Sequence, residues 1–362
     1  MRVLHVHKLT GIGGSERHLL TLLPALRERG IDARFLGLDV PGSDAGRFYR
    51  ELAETAVPFR SVRCTLDVDP RLAAAVTAAV RAEQPDLLHT HLVHADVYGA
   101  LASRLTGVPF LSSRHNDDRY LLGPFRHVDR AFALRARSLV AISHAVRRFL
   151  AEAGLPRRKL VTIHYGLDRL PGVPSERSPA EVGVPDGARL LLAIGRLTAQ
   201  KDHATLLRAF AAARSRHPDA VLAILGIGPL RAETLALAHA LGIADAVLLP
   251  GRLEIRDWLE RASIFVHSSR WEGFGMVLLE AMLAGLPVAA TRVSAVPEVV
   301  ADGATGLLVE LGDAPALAGA LSALLDEPER ARALGEAGRE RARRRFSVAR
   351  MAERTAALYE SV

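Results

Sequence analysis

Apolar positions fall into two alternating kinds of stretch. Short dense runs, "RVLHVHK", "ARFLGLDV", "DLLHTH", "PFLSSRH", "LVAIS" and "LVTIHYG", read as strands, and most of the intervals between them carry helical periodicity. The pattern then stops. "LDRLPGVPSERSPAEVGVPDGA" has four prolines within residues 171–185 and no period, which marks a linker. Beyond it the alternation restarts with "RLLLAIG", the helix "HATLLRAFAAARSR", "AVLAILG", the helix "LRAETLALAHALG", "AVLLPG", the helix "IRDWLERA" and "SIFVHSS". A helix from Met276 to Ala284 and the strand "GLLVE" follow, and the chain closes on helical stretches ending in "SVARMAERTAALYESV". Strand–helix alternation in both halves predicts an α/β protein of two Rossmann-like, doubly wound parallel-sheet domains, residues 1–170 and 171–346, with a final helix over 347–362.

In such sheets ligands bind at the carboxyl ends of strands, so chemistry belongs in the loops that follow strands. With two facing sheets the deepest crevice is expected between the domains. "TGIGGSE" follows the first strand and opens the first helix, where backbone N–H groups and the helix dipole can meet an anion. Gly13 and Gly14 allow close backbone approach, although Glu16 stands where a dinucleotide fingerprint has its third glycine. "AIGRLTAQKDH" places Arg196 and Lys201 after the first strand of the second half, a pairing suited to a diphosphate. "RWEGFG" places Glu272 in the loop after "SIFVHSS", ahead of the first-turn N–H groups near Gly275, Met276 and Val277. Glu280 lies about a turn into a helix that is apolar on nearly every side. A carboxylate there has a buried partner or faces a ligand, since an unpaired buried charge is too costly to keep.

Length and composition narrow the reading. A chain of 362 residues exceeds a single core and agrees with two domains. Cys64 alone excludes an internal disulfide and fits a reducing compartment. No signal-peptide pattern opens the chain and no apolar run reaches membrane-spanning length, so a cytoplasmic protein is expected. The net charge of +7 points weakly to an anionic partner, but the arginines are dispersed and aromatics make up only 5%, which argues against nucleic acid. Only Lys8, Lys159 and Lys201 are lysines among 47 basic residues, so Lys201 in a strand-end loop suggests that a compact ammonium was needed. The basic stretches "RRFLAEAGLPRRK" and "RERARRRF" read as solvated faces, or as contacts to an anionic membrane surface. "DVD" at 67–69 reads as a solvated loop. "LLHTHLVHAD" sets His89, His91 and His94 at a strand end, with His89 and His91 on one face, where a metal-dependent hydrolase is the alternative chemistry.

"EGFGMVLLEA", with "GLPVAAT", "VPEVVADGATGLLV", "GRL…QKD" and "GGSERHLL", resembles the retaining nucleotide-sugar glycosyltransferases of family 4, which have the GT-B fold. The likeness runs the length of the chain and is strongest over residues 189–310. It implies transfer of a sugar from a nucleoside-diphosphate sugar to an acceptor hydroxyl in the cleft between the domains, with no metal or other cofactor. The first domain would bind the acceptor (a glycan, a lipid-linked molecule or a small molecule), the second would bind the donor, and helix 347–362 would cross back to the first. Residue by residue, it implies that Glu280 holds the ribose and that Glu272 contacts the transferred sugar as its anomeric centre becomes cation-like. Arg196 and Lys201 would neutralise the leaving diphosphate. The amides of Gly273, Phe274, Gly275, Met276 and Val277 would hold sugar and phosphate, with Gly13 and Gly14 closing over the diphosphate. His91 would line the reaction centre, with His94 and His115 as further lining residues. One departure is "IHYGLD", where many relatives carry Asn at the position of Tyr165. A catalytically idle nucleotide-binding module is the third reading, and the sugar, base and acceptor are not named by the sequence.

Overall fold

The computed structural model describes residues 1–66, 69–116, 123, 125–170 and 175–362, with backbone alone at 125, 126 and 128. Most of the "NDDRYLLGPFRH" loop, and Asp67 of "DVD", lie outside the described residues. The chain divides into two compact units, Met1–Gly166 with Ser347–Val362, and Leu167–Phe346.

The first unit opens with β1 (Arg2–Leu9), α1 (Gly14–Glu28), β2 (Asp32–Asp39), α2 (Ala45–Ala53), β3 (Phe59–Arg63) and α3 (Pro70–Glu83). It continues with β4 (Leu87–His91), α4 (Leu92–Thr106), β5 (Phe110–Arg114), α5 (Phe125–Arg135), β6 (Leu139–Ala141), α6 (His144–Glu152) and β7 (Leu160–Thr162). The seven strands pair in the order β3-β2-β1-β4-β5-β6-β7, all parallel. Helices cover both faces of a parallel sheet, so β4 and β5 are buried at every position and show no alternation. β3, "FRSVR", lacks an apolar run; it is an edge strand with no fully buried residue. Its short, arginine-bearing edge is a common way to discourage strand addition.

The second unit runs β8 (Arg189–Ile194), α7 (His203–Arg214), β9 (Ala220–Leu225), α8 (Arg231–Ala240), β10 (Val247–Gly251), α9 (Arg256–Arg261) and β11 (Ile264–His267). α10 (Met276–Ala284), β12 (Val288–Thr291), α11 (Val296–Val299), β13 (Leu307–Val309), α12 (Ala314–Asp326) and α13 (Pro328–Arg345) complete it. Its six parallel strands take the order β10-β9-β8-β11-β12-β13. A core of Leu191, Leu206, Phe210, Leu222, Ile224 and Leu321 lies between that sheet and its helices.

α14 (Val348–Glu360) belongs to the first unit, packed on α1. Ser347 caps it by accepting from Arg350 N–H, and Met351, Ala352 and Tyr359 enter the core that holds Leu19, Leu22 and Phe35. Two doubly wound parallel sheets are therefore the architecture, as the periodicity predicts. No described helix is long and apolar enough to cross a membrane.

Candidate active site

The second unit gathers its predicted polar groups at the carboxyl ends of β8 and β11. β8 feeds a loop in which Lys201 closes a short 3₁₀ turn and Asp202, in the left-handed region, caps α7 by accepting from Thr205 N–H. The Lys201 stem lies over Gly195: a β-carbon there would come within 3.0 Å of Lys201 Cε. Ser268 donates its hydroxyl to the Lys201 carbonyl at 2.8 Å, and Gln200 bridges to the Trp271 carbonyl at 3.0 Å. Two loops far apart in sequence are thus tied together.

Their tie is also ionic. Lys201 Nζ donates to Glu272 Oε2 at 2.6 Å. The same oxygen accepts from His267 Nε2 at 3.1 Å and from Ser269 Oγ at 3.4 Å. Burial pushes the Glu272 carboxyl up, but the Lys201 charge and the His267 hydrogen bond outweigh it and hold the group well below the usual carboxylate range. Burial lowers the pKa of His267, keeping the ring neutral so that one N–H can serve the carboxylate. His267 was not singled out from the sequence. Its signal is a lone imidazole ending an otherwise apolar parallel strand, "SIFVHSS".

After Glu272 the chain turns sharply into α10. Gly275 adopts φ 88° and ψ 62°, and a β-carbon on it would meet Leu278 Cδ1 at 2.8 Å, so the turn needs glycine. The N–H groups of Met276 and Val277 lie in the first turn, where a helix supplies no acceptor of its own. Phe274 anchors the loop, its ring edge-on to Phe346 with centroids 5.6 Å apart. Glu280 sits one turn into α10 and is 4% exposed. Arg196 reaches Gln200 Oε1 at 3.3 Å. At the far end, Arg339 donates to the Leu283 and Ala284 carbonyls at 3.2 and 2.8 Å, neutralising the helix C-terminus. Arg341 does the same for Glu298 and Val299. Part of "RERARRRF" is therefore structural rather than a plain solvated face.

In the first unit the strand order reverses between β1 and β4, and histidines collect there. His89 and His91 stack with ring centroids 4.3 Å apart. His94 does not join them: it lies inside α4, against Tyr98 of the same helix at 5.5 Å between rings. The nitrogens within 4.8 Å of one another belong instead to His5, His89 and His91, so β1 supplies the third imidazole of the predicted trio. Both His91 nitrogens are engaged, Nε2 with His5 Nδ1 and Nδ1 with His115 Nε2, each at 3.0 Å. Gly13 is the N-cap of α1, and its N–H donates to Glu16 Oε2 at 2.9 Å. Glu16 also meets His7 Nε2 at 3.0 Å and accepts from Ser15. The Gly13 amide is thus engaged by the helix's own carboxylate, while Gly14 begins the helix.

Comparison with known proteins places this arrangement. Residues 12–169 match the family described as Glycosyltransferase Family 4, and residues 174–341 match Glycosyl transferases group 1. The alpha-maltose-1-phosphate synthase of Mycolicibacterium smegmatis is 31% identical, over 97% of this chain and 96% of its own. A D-inositol 3-phosphate glycosyltransferase of Catenulispora acidiphila is also 31% identical, over 98% and 92%. Among solved structures, Anabaena Alr3699/HepE in complex with UDP-glucose superimposes with TM-score 0.84 at 23% identity, covering all of both chains. The chain belongs to the glycosyltransferases of the GT-B fold, and it is a transferase enzyme.

Proposed function

We propose that this glycosyltransferase takes a sugar from a nucleoside-diphosphate donor and joins it to an acceptor hydroxyl with the donor's α configuration retained and without a metal. The observation that carries the reading is the Lys201–Glu272–His267 cluster beside the start of α10. Lys201 is held ready by Glu272, and a diphosphate at this loop exchanges one anionic partner of the ammonium for another. Arg196, the ammonium and the amides of Gly273 to Val277 then stabilise the charge that grows on the leaving phosphate, the task a metal performs elsewhere. Glu272, shifted far toward its ionised form, faces the cation-like anomeric carbon, and Glu280 accepts the ribose hydroxyls. Gly14, opening α1, offers its backbone to an anion. His91 shapes the acceptor side through its ring and its neighbours, with His115 beside it and His94 as a separate lining residue on α4. HepE was crystallised with UDP and with UDP-glucose, which supports a nucleotide-sugar donor here. The curated relatives, a maltose-1-phosphate synthase and inositol-phosphate glycosyltransferases, support a small hydroxylated acceptor ahead of a membrane-bound one.

The test is release of nucleoside diphosphate from a panel of UDP-, GDP-, ADP- and dTDP-sugars in EDTA. Turnover of one donor, undiminished by the chelator, is the expected result. Turnover lost on chelation and restored by zinc or manganese overturns the metal-free reading.

A further inference from the structure

Seven side chains in the first unit form one continuous run of hydrogen bonds. The Tyr165 hydroxyl meets His115 Nδ1. His115 Nε2 lies 3.0 Å from His91 Nδ1, and His91 Nε2 lies 3.0 Å from His5 Nδ1. His5 Nε2 is 3.3 Å from the Tyr359 hydroxyl, which is 2.5 Å from His89 Nδ1. His89 Nε2 ends the run at Ser113 Oγ, 2.7 Å away. All seven residues are buried, none more than 5% exposed.

Every imidazole is entered at Nδ1 and left at Nε2, and this regularity has a consequence. A neutral imidazole has one N–H and one lone pair, so assigning one ring assigns the rest. Either all four rings carry the proton on Nε2 or all four carry it on Nδ1. A mixed set among His115, His91 and His5 would oppose two N–H groups or two lone pairs, and a mismatch across Tyr359 would leave either its O–H or one imidazole lone pair unpaired, where no water can repair it. Charged defects are excluded as well: burial pushes His5 down to about 3 and His89, His91 and His115 well below their ordinary value, and it pushes both tyrosines well above theirs.

We propose that this run is a single proton-ordered unit that fixes the tautomer and ring orientation of His91, with His5, His115, Tyr165 and Tyr359 as positioning residues for the transfer reaction. Its link to the reaction rests on the transferase reading of the β4 strand end; the ordering itself does not. The two tyrosines occupy informative places. Tyr165 is one residue before the first unit breaks off at Gly166, and Tyr359 lies on α14, by which the chain returns. Gly166 N–H also points at Met351 Sδ of α14, 3.1 Å away. Both segments that lead out of and back into the unit are thereby linked to the His91 imidazole at the strand end, one through His115 and the other through His5.

NMR of the full chain with labelled histidines reads the tautomers directly, because protonated and bare ring nitrogens differ widely in ¹⁵N shift. The wild type should show His5, His89, His91 and His115 neutral and in one common tautomer. The two ends should then push in opposite directions. Tyr359→Phe leaves His5 Nε2 without a partner, and an orphaned lone pair is cheaper than an orphaned N–H. His5, His91 and His115 should therefore all become Nδ1–H in that variant. Tyr165→Phe strands His115 Nδ1 and should drive the same three rings to Nε2–H. The variant that reverses the wild-type tautomer of His91 should lower kcat about tenfold with donor KM nearly unchanged, as expected for a residue that acts through another, while the variant that keeps that tautomer should change kcat far less. Mixed tautomers in the wild type, or a response confined to the ring next to the substitution, would overturn the proposal. Coupled NMR shifts with unaltered kcat would leave the transferase reading standing and remove the positioning role.

Discussion

At the residue scale the meeting of the second unit's polar side chains was largely legible, because they lie in loops that follow strands of a doubly wound sheet. Lys201 and Glu272, 71 positions apart, meet in one ion pair. The structure adds that the Lys201 ammonium already faces a carboxylate. Charge on the leaving phosphate is greater in the transition state than in the bound donor, so the ammonium matters most there. Lys201→Ala should cost about 10²- to 10³-fold in kcat with a smaller change in KM. Lys201→Arg keeps the charge on a larger planar group and should retain part of the activity. Steady-state kinetics of the three proteins decide it; a rise in KM alone would mean uniform binding rather than transition-state stabilisation. His267 escaped the sequence reading because one strand-terminal histidine resembles ordinary polar lining. His5 escaped because its partners come from other strands and from a helix 354 positions away, and no local pattern encodes such a meeting.

At the element scale, α10 shows which signals suffice. Its bounds, Met276 to Ala284, follow from a glycine at either end and an apolar run between, and a helix apolar on all sides must be buried. What caps its far end was not legible, since Arg339 reaches it from α13, a separate helix whose arginines look alike in sequence. This sorts the basic stretch into unequal members. Arg339→Met should lower unfolding stability by about 1–3 kcal/mol by stranding two carbonyls, whereas Arg344→Met, at an exposed position, should stay within about 0.5 kcal/mol. Urea denaturation of both variants measures the difference, and equal midpoints would return the whole stretch to a solvated face. β3 was missed for a related reason. An edge strand needs no apolar run, so "FRSVR" gives no strand signal of its own.

At the scale of the whole molecule, the alternation of strands and helices was enough for the two-sheet architecture, while the buried polar interior of the first unit was not foreseen. That interior makes the fold sensitive to acid. His5 and His18 are lowered to about 3 by burial, and His89, His91 and His115 lie well below their ordinary value. All five stay neutral when folded but take a proton in the unfolded chain once the pH drops below about 6.5. The unfolded state then binds more protons, so stability falls as pH falls. Five such groups give a slope approaching ~7 kcal/mol per pH unit below the unfolded value. Denaturation midpoints taken from about pH 7.5 to about pH 5.5 should fall steeply, and a flat profile would mean that these rings are protonated in the native state.

The proposed retaining transfer from a nucleotide sugar is tested most directly by proton NMR of the first sugar released. Donor is incubated with the enzyme and water as acceptor, and the anomeric signal is followed before mutarotation scrambles it. On the proposed reading, Lys201, Arg196 and the α10 amides would stabilise a leaving phosphate that can itself take the incoming proton, so the α anomer should appear first. A β anomer appearing first would contradict the account and require a side-chain base on the opposite face of the sugar.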